Sequence, residues 1–192
     1  SVRAGASEDC QGGDINKMIE ACSTLIQKNP GDAGAYTNRG YAYSQMRGSD
    51  EGNLDRAISD FTRALAINPR LAVTFNARGL TFQLKNDIES AFADFVRATE
   101  VDPQFAIGYL NRGHINMIKG AFNAAIADYT NALSLKPEPE VERSLYINRA
   151  LAFKGVGDIP RALADYGTIL GNNKDDIDAY FARAQAREMN AD

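Results

Sequence analysis

Two series of side chains recur along the 192-residue chain at fixed spacing, and their types suit them to charge pairing and to hydrogen bonding. An Arg returns as Arg39, Arg78, Arg112 and Arg149, and an Asp stands sixteen residues after each of the last three, as Asp94, Asp128 and Asp165. Arg39 and Asp60 form the same pair once about five extra residues around Arg47 to Asn53 are allowed for. Free guanidinium groups would make a basic stripe for an anionic ligand. A carboxylate in step with each one favours ion pairs instead, because a charge entering a helix interface is costly without a partner. One residue before three of these Arg lies an Asn, as Asn38, Asn111 and Asn148. An amide offers both a donor and an acceptor and can hold a peptide backbone without reading its side chains. The other reading is a solvated residue with no partner; exposed helix positions do not otherwise favour Asn, which turns the balance toward binding.

Other chemistry is poorly supplied. The chain has one His, His114, and two Cys, Cys10 and Cys22, whereas metal sites and histidine-based catalysis need several such groups converging. No nucleophile or carboxylate is placed beside His114 by the sequence, so it reads as a plain surface histidine rather than a catalytic or pH-sensing one. The phosphate-cradling pattern GxxxxGK followed by Ser or Thr does not occur, and Gly12 and Gly13 are too isolated to replace it. No catalytic residue, cofactor or metal is expected, and the chain reads as a non-enzyme. The balance of 21 Lys and Arg against 25 Asp and Glu, net −4 with a pI near 5.1, argues against an electrostatic grip on nucleic acid. Hydrophobic residues at 44% and charged residues at 24% describe a foldable, soluble chain, and no apolar run is long enough to span a bilayer.

The elements that position these residues are helices, and they repeat. The segments YTNRGYAY, FNARGLTF, YLNRGHIN, YINRALAF and YFARAQAR each carry the Arg; all but the last are followed by a second block, RAISDFTRALAINP, SAFADFVRATEVDP, AAIADYTNALSLKP or RALADYGTIL. Phe75 and Tyr109 lie 34 apart, as do Tyr146 and Tyr180. Within the second blocks Ala57, Phe61 and Ala64 share one helix face, as do Ala91, Phe95 and Ala98, then Ala125, Tyr129 and Ala132. Small Ala residues let a neighbouring helix approach while the aromatic fills the gap above them. Pro69, Pro103 and Pro137 stop three of these helices, and Asp158 ahead of Pro160 reads as a helix start.

A 34-residue pair of helices with these aromatic, Gly, Ala and Pro positions resembles the tetratricopeptide repeat, here in a bacterial style with Asn-Arg-Gly in the first helix. The resemblance covers roughly 33–192 and implies an all-α, right-handed superhelical α-solenoid of stacked antiparallel helix pairs. The expected organisation is a tail at 1–13, an N-terminal cap helix at 14–30, and four units across 31–174. These run at about 33–69, 71–103, 105–137 and 140–174, ahead of a C-terminal capping helix at 175–192. Asn116 in place of an aromatic, and Ile169 in place of Ala, depart from the pattern. In this family the first helices line a concave groove, which implies that Asn38, Tyr41, Asn76, Leu80, Asn111, His114, Asn148 and Leu151 face a bound segment. The carboxylate clamp of chaperone-binding relatives is disfavoured, because Thr37 and Tyr41 stand where Lys and Asn are expected.

Cys10 and Cys22 lie twelve apart, one before the cap helix and one on its inner face. They read either as a bridge pinning the tail to that helix, or as one buried and one exposed thiol of a cytoplasmic protein. The even count, a start at Ser1 rather than Met, and a similarity to exported bacterial repeat proteins with an N-terminal Cys pair turn the expectation toward a disulfide and a periplasmic or secreted location. The functional expectation is an interaction module or scaffold, monomeric or a small homo-oligomer, holding a peptide or partner helix in its groove and binding no nucleic acid. Self-association into a scaffold and a regulatory role within an enzyme complex are the alternatives.

Overall fold

A computed structural model describes residues 8–46 and 51–189. All regular structure among them is α-helical, and the chain divides into two compact units, Ser1–Asp102 and Pro103–Asp192. The first unit holds α1 (Ile15–Lys28), α2 (Ala33–Gln45), α3 (Glu51–Ile67), α4 (Ala72–Leu84) and α5 (Ile88–Val101). The second holds α6 (Ala106–Ile118), α7 (Phe122–Ser134), α8 (Pro139–Gly155), α9 (Ile159–Asn172) and α10 (Ile177–Met189). Within each unit successive helices pair antiparallel and stack, which is the α-solenoid arrangement. The inserted stretch around Arg47 to Asn53 lies outside the described residues at 47–50, as do 1–7 of the tail and 190–192.

Helix starts follow from capping carboxylates. Asp14 accepts from the amides of Asn16 and Lys17, Asp32 from Ala35, Asp87 from Ser90, and Asp158 from Arg161, each at 2.9–3.1 Å. Pro160 falls in the first turn of α9, where a missing N–H is harmless. Three equivalent turns link first to second helices: Asp87 N–H reaches Phe82 O, Ala121 N–H reaches Asn116 O and Asp158 N–H reaches Phe153 O, at 2.8–2.9 Å. Asn86, Gly120 and Gly157 give those turns their positive φ of 60°, 70° and 77°.

The core is the Ala-aromatic-Ala face of each second helix. Ala57, Phe61 and Ala64, then Ala91, Phe95 and Ala98, then Ala125, Tyr129 and Ala132 are all fully buried. In the last pair Ala162 and Tyr166 are equally buried and Ile169 takes the third place. Each ring presses on the facing first helix where that helix has no side chain. A Cβ on Gly40 would stand 2.7 Å from the Phe61 ring, one on Gly79 2.7 Å from Phe95, and one on Gly113 2.5 Å from Tyr129. Glycine is what permits that approach. The fourth pair uses Ala150 at the same place, fully buried.

The ends differ from two simple caps. Cys10 and Cys22 are joined, with Cα atoms 4.9 Å apart, so the segment before α1 covers its inner face and packs with Ala21 and Ala35. At the other end α10 buries Ala179 and Ala186, yet Ile177, Tyr180 and Phe181 are 80%, 46% and 67% exposed. The outer face of α10 is therefore mixed, with Asp178, Gln185, Arg187 and Glu188 exposed beside these apolar side chains.

Candidate functional site

Four Arg–Asp pairs form a ladder through the helix pairs. Arg39 Nε and Nη2 donate to the two Asp60 oxygens at 2.7 and 2.8 Å, Arg78 to Asp94 at 2.8 and 2.8 Å, and Arg149 to Asp165 at 2.9 and 2.7 Å. Arg112 donates to Asp128 from Nε at 3.0 Å and also from Nη2. Each carboxylate is 3–6% exposed, so the guanidinium is what makes its burial tolerable. Hydrogen bonding to Asp60 and to Asp165 pushes the Arg39 and Arg149 pKa values further up. Every guanidinium also lies 5.3–5.8 Å over the ring three residues before it, at Tyr36, Phe75, Tyr109 and Tyr146.

Sequence reasoning missed a third member of the ladder. Arg39 Nη1 donates back to Ser23 Oγ at 3.0 Å, Arg78 Nη1 to Thr62 Oγ1 at 2.9 Å and Arg149 Nη1 to Thr130 Oγ1 at 3.1 Å. Each Arg thus joins its own second helix to the preceding one. The signal was available, since Ser23 and Thr62 lie sixteen residues before their Arg. Asn116, the departure from the aromatic pattern, also has its reason: its amide donates to Asp128 Oδ2 at 2.8 Å, and the buried amide completes the third pair.

The Asn series is placed less openly than its spacing suggests. Asn38 is half-buried with its amide nitrogen 4.0 Å from Cys10 Sγ, so the bridged N-terminal segment lies against it. Asn111 is half-buried and engaged within the protein. Asn148 donates to Ser144 O at 2.8 Å and lies close enough to His114 to act on its pKa. Asn76, which the resemblance put on the groove surface, is 5% exposed and engaged, so it lies beneath that surface rather than on it. A buried amide is stable only when bonded.

What the first helices do expose is aliphatic. In the first unit, Thr37 and Thr74 share a 2.9 Å hydroxyl contact that ties α2 to α4, and Val73, Leu80 and Leu84 of α4 are 49%, 38% and 65% exposed. Tyr41 is half-buried edge-on to Phe61 at 5.6 Å, and burial pushes its phenol pKa up. In the second unit, Ile107 and Ile118 of α6 and Leu151 of α8 are 40%, 58% and 41% exposed, on helices that also carry His114 and Asn148. Burial lowers the His114 pKa, partly offset by Asn148, and its ring meets Tyr129 edge-on at 6.0 Å. Val73, Leu84, Ile107 and Ile118 were not singled out from sequence. They share a signal with residues that were: offsets of 7 and 11 place Val73, Leu80 and Leu84 on one face of α4, and Ile107, His114 and Ile118 on the same face of α6.

Two further features belong to the second unit. The Tyr129 and Tyr166 hydroxyls are buried without a hydrogen-bond partner. A cavity of about 250 Å³ opens between the start of α8 and the end of α9, beside Arg143 and Asp176. Those two are bound to each other at 2.6 and 2.9 Å, and the pairing holds the Asp176 carboxyl below its usual range. No helix among the described residues is long and apolar enough to cross a membrane.

Comparison with known proteins agrees with this geometry. The tetratricopeptide repeat profile matches residues 33–71 and 106–139. Among solved structures the fold is similar to that of MamA, at 20% identity over 88% of this chain and 94% of that one, with a TM-score of 0.74. It is also similar to TTC0263, a thermophilic repeat protein of Thermus thermophilus, at 21% identity over 90% of each chain and a TM-score of 0.62. A third is YrrB, described as having an unusual peptide-binding site, at 15% identity over 88% of this chain and 84% of that one, TM-score 0.70. No curated protein sequence matches the chain.

Proposed function

This chain is a tetratricopeptide-repeat protein, and from that premise we propose that it is a non-enzymatic interaction scaffold whose first-helix faces bind an extended or helical segment of another protein. The observation that carries the reading is the set of aliphatic side chains exposed in each unit on first helices that also carry amides and hydroxyls. Val73, Leu80 and Leu84 are exposed on the helix that Thr37–Thr74 ties to its neighbour in one unit, and Ile107, Ile118 and Leu151 are exposed on the helices that carry His114 and Asn148 in the other. Exposed apolar side chains in register, rimmed by amides and hydroxyls, are what a peptide's side chains and backbone respectively need. The ladder Arg are committed to Asp, so anion binding is not what these helices offer.

In this reading Asn111 and Asn148 take the ligand's backbone, with Asn148 exchanging its bond to Ser144 O for one to the ligand. The domain reading from sequence stands as part of the proposal: four units between an N-terminal cap and α10. The Cys10–Cys22 bridge supports residence in an oxidising compartment, periplasmic or secreted. Selection of displayed random peptides against the intact protein tests the reading, with counter-selection on Leu80→Ser and Leu151→Ser variants. Peptides enriched on the parent and lost on either variant support it. Peptides indifferent to both variants, on variants with unchanged thermal unfolding, overturn it.

A further inference from the structure

The cavity between the start of α8 and the end of α9 repeats a feature of the pair before it. About 260 Å³ also stands open between the starts of α6 and α8 and the end of α7, although α9 and α10 follow in the same unit. The stacking itself leaves this position open. What lines the two cavities differs. Phe105, Ala106 and Lys136 of the earlier one are in register with Glu142, Arg143 and Asn173 of the later one. The later cavity also runs deeper, to Tyr146 and the buried Ile169. Asn172 accounts for the depth, because an exposed amide stands where the earlier second helices end on the half-buried Ile67, Val101 and Leu135.

Charge chooses the occupant. The lining sets the carboxylates of Glu140, Glu142 and Asp176 against the single guanidinium of Arg143, which is already spent on Asp176 and Asp178. Glu142 is half-buried and Glu140 exposed, and neither meets a cation among the described residues. The positive end of α8 and the negative end of α9 border the cavity together and offset each other, so the side chains decide its sign. At about 250 Å³ it is smaller than the roughly 300–1,000 Å³ of pockets that enclose whole small molecules, and it suits one long side chain. We propose that the cavity receives a lysine side chain of a partner polypeptide, with its stem against Tyr146 and Ile169 and its ammonium between Glu140 and Glu142. Lysine fits better than arginine, because carboxylates two residues apart on α8 come from different sides of the helix and match the three divergent donors of an ammonium rather than a planar fork. The site shares no residue with the aliphatic first-helix surfaces, so either reading can fail without the other.

The test is an amide chemical-shift titration of the isotope-labelled whole protein with lysine blocked at both backbone ends. Blocked norleucine, which keeps the stem and lacks the charge, and blocked glutamate are the controls. Blocked lysine is expected to shift the amides of 140–143 and 172–173 and to bind about tenfold more tightly than norleucine, a ratio set by one charge-assisted hydrogen bond. Glu140→Gln combined with Glu142→Gln keeps the shape and should erase that ratio while norleucine binds as before. Asn172→Leu restores the aliphatic chain of the other second helices and should abolish binding of both. No shift with lysine at millimolar concentration, equal binding of lysine and norleucine, a ratio that survives the double variant, tighter binding of glutamate, or shifts confined to 105–107 would each overturn the proposal. Cadaverine binding about a hundredfold more tightly than blocked lysine would overturn it as well, by giving the cavity to a free diamine. So would dimerisation lost in the double variant, which would give it to a second copy.

Discussion

Removing one partner of a ladder pair should not cost the same from both sides. Arg78 and Asp94 are bonded twice at 2.8 Å, with side-chain exposures of 18% and 6%. Arg78→Leu leaves the Asp94 carboxylate enclosed with its two guanidinium bonds gone, a loss of about 3–5 kcal/mol by the usual cost of an orphaned buried charge. Asp94→Leu leaves Arg78 with its bond to Thr62 Oγ1 and with a head that can bend to water, so about 2 kcal/mol is expected. With both changed, the charges and their desolvation go together, and the double variant should lie within about 1 kcal/mol of the parent. The coupling energy of the cycle is then about 4–7 kcal/mol.

Urea unfolding followed by circular dichroism measures all four proteins. The slope must be compared along with the midpoint, because a stacked array can lose two-state behaviour when one pair is weakened. The larger single loss corresponds to a fall in Tm of about 6–20 °C at this chain length. Two single variants that each cost under about 1 kcal/mol, or losses that add in the double variant, would refute the structural reading of the ladder. Unchanged stability with loss of an anionic ligand would restore the basic stripe that the sequence left open.

Other outcomes follow from particular contacts. Tyr129→Phe and Tyr166→Phe each delete a buried hydroxyl that bonds nothing, at positions where the chain elsewhere uses Phe61 and Phe95; each should raise stability by about 1 kcal/mol, seen as a Tm rise of a few degrees. A loss in either would mean that the hydroxyl has a partner. Cys22→Ser removes a bridge closing a loop of twelve-residue separation and should cost about 3 kcal/mol on loop-entropy grounds, with amide exchange rising in α1 while α9 stays protected. Burial holds the His114 pKa below its ordinary 6.5, so the unfolded chain takes up its proton first; the stability that neutral His114 supplies is full above pH 6.5 and falls away as pH drops through and below that value. His114→Phe should flatten the difference in unfolding free energy between pH 7 and pH 5, and an unchanged pH profile would count against the burial argument.

The ladder is legible in the sequence because its arithmetic is local: a sixteen-residue offset between Arg and Asp in three pairs, and 21 in the first with its insertion, fixes a pairing whatever the array does elsewhere. The same holds for Phe61, Phe95, Tyr129 and Tyr166, whose Ala neighbours mark the buried face by helical spacing alone. Surface positions are read less well. Asn38 faces the bridged segment because a contact between Cys10 and α1 lies outside the repeat pattern, and periodicity carries no information about it. Asn76 occupies the same register as the half-exposed Thr37 but is buried, because register gives direction from the helix axis and not depth. Arg183, Arg187 and Glu188 make α10 look like a polar cap, a reading that passes over its exposed Ile177 and Phe181.

The ladder also constrains how a scaffold of this kind can recognise anything. Each first helix spends its one interior cation on its own second helix, and three of them spend a further donor on the helix before. Within each unit the exposed aliphatic side chains, Val73, Leu80 and Leu84 on α4 and Ile107 and Ile118 on α6, share a face because offsets of 7 and 11 residues return to one side of a helix. Exposed aliphatic faces of this kind favour affinity drawn from apolar burial, which salt does not screen, over charge attraction, which it does. α10 is the exception that follows from the same logic. There Arg183 meets no carboxylate among the described residues and Ala184 is exposed, so the charge economy of the other first helices does not extend to it.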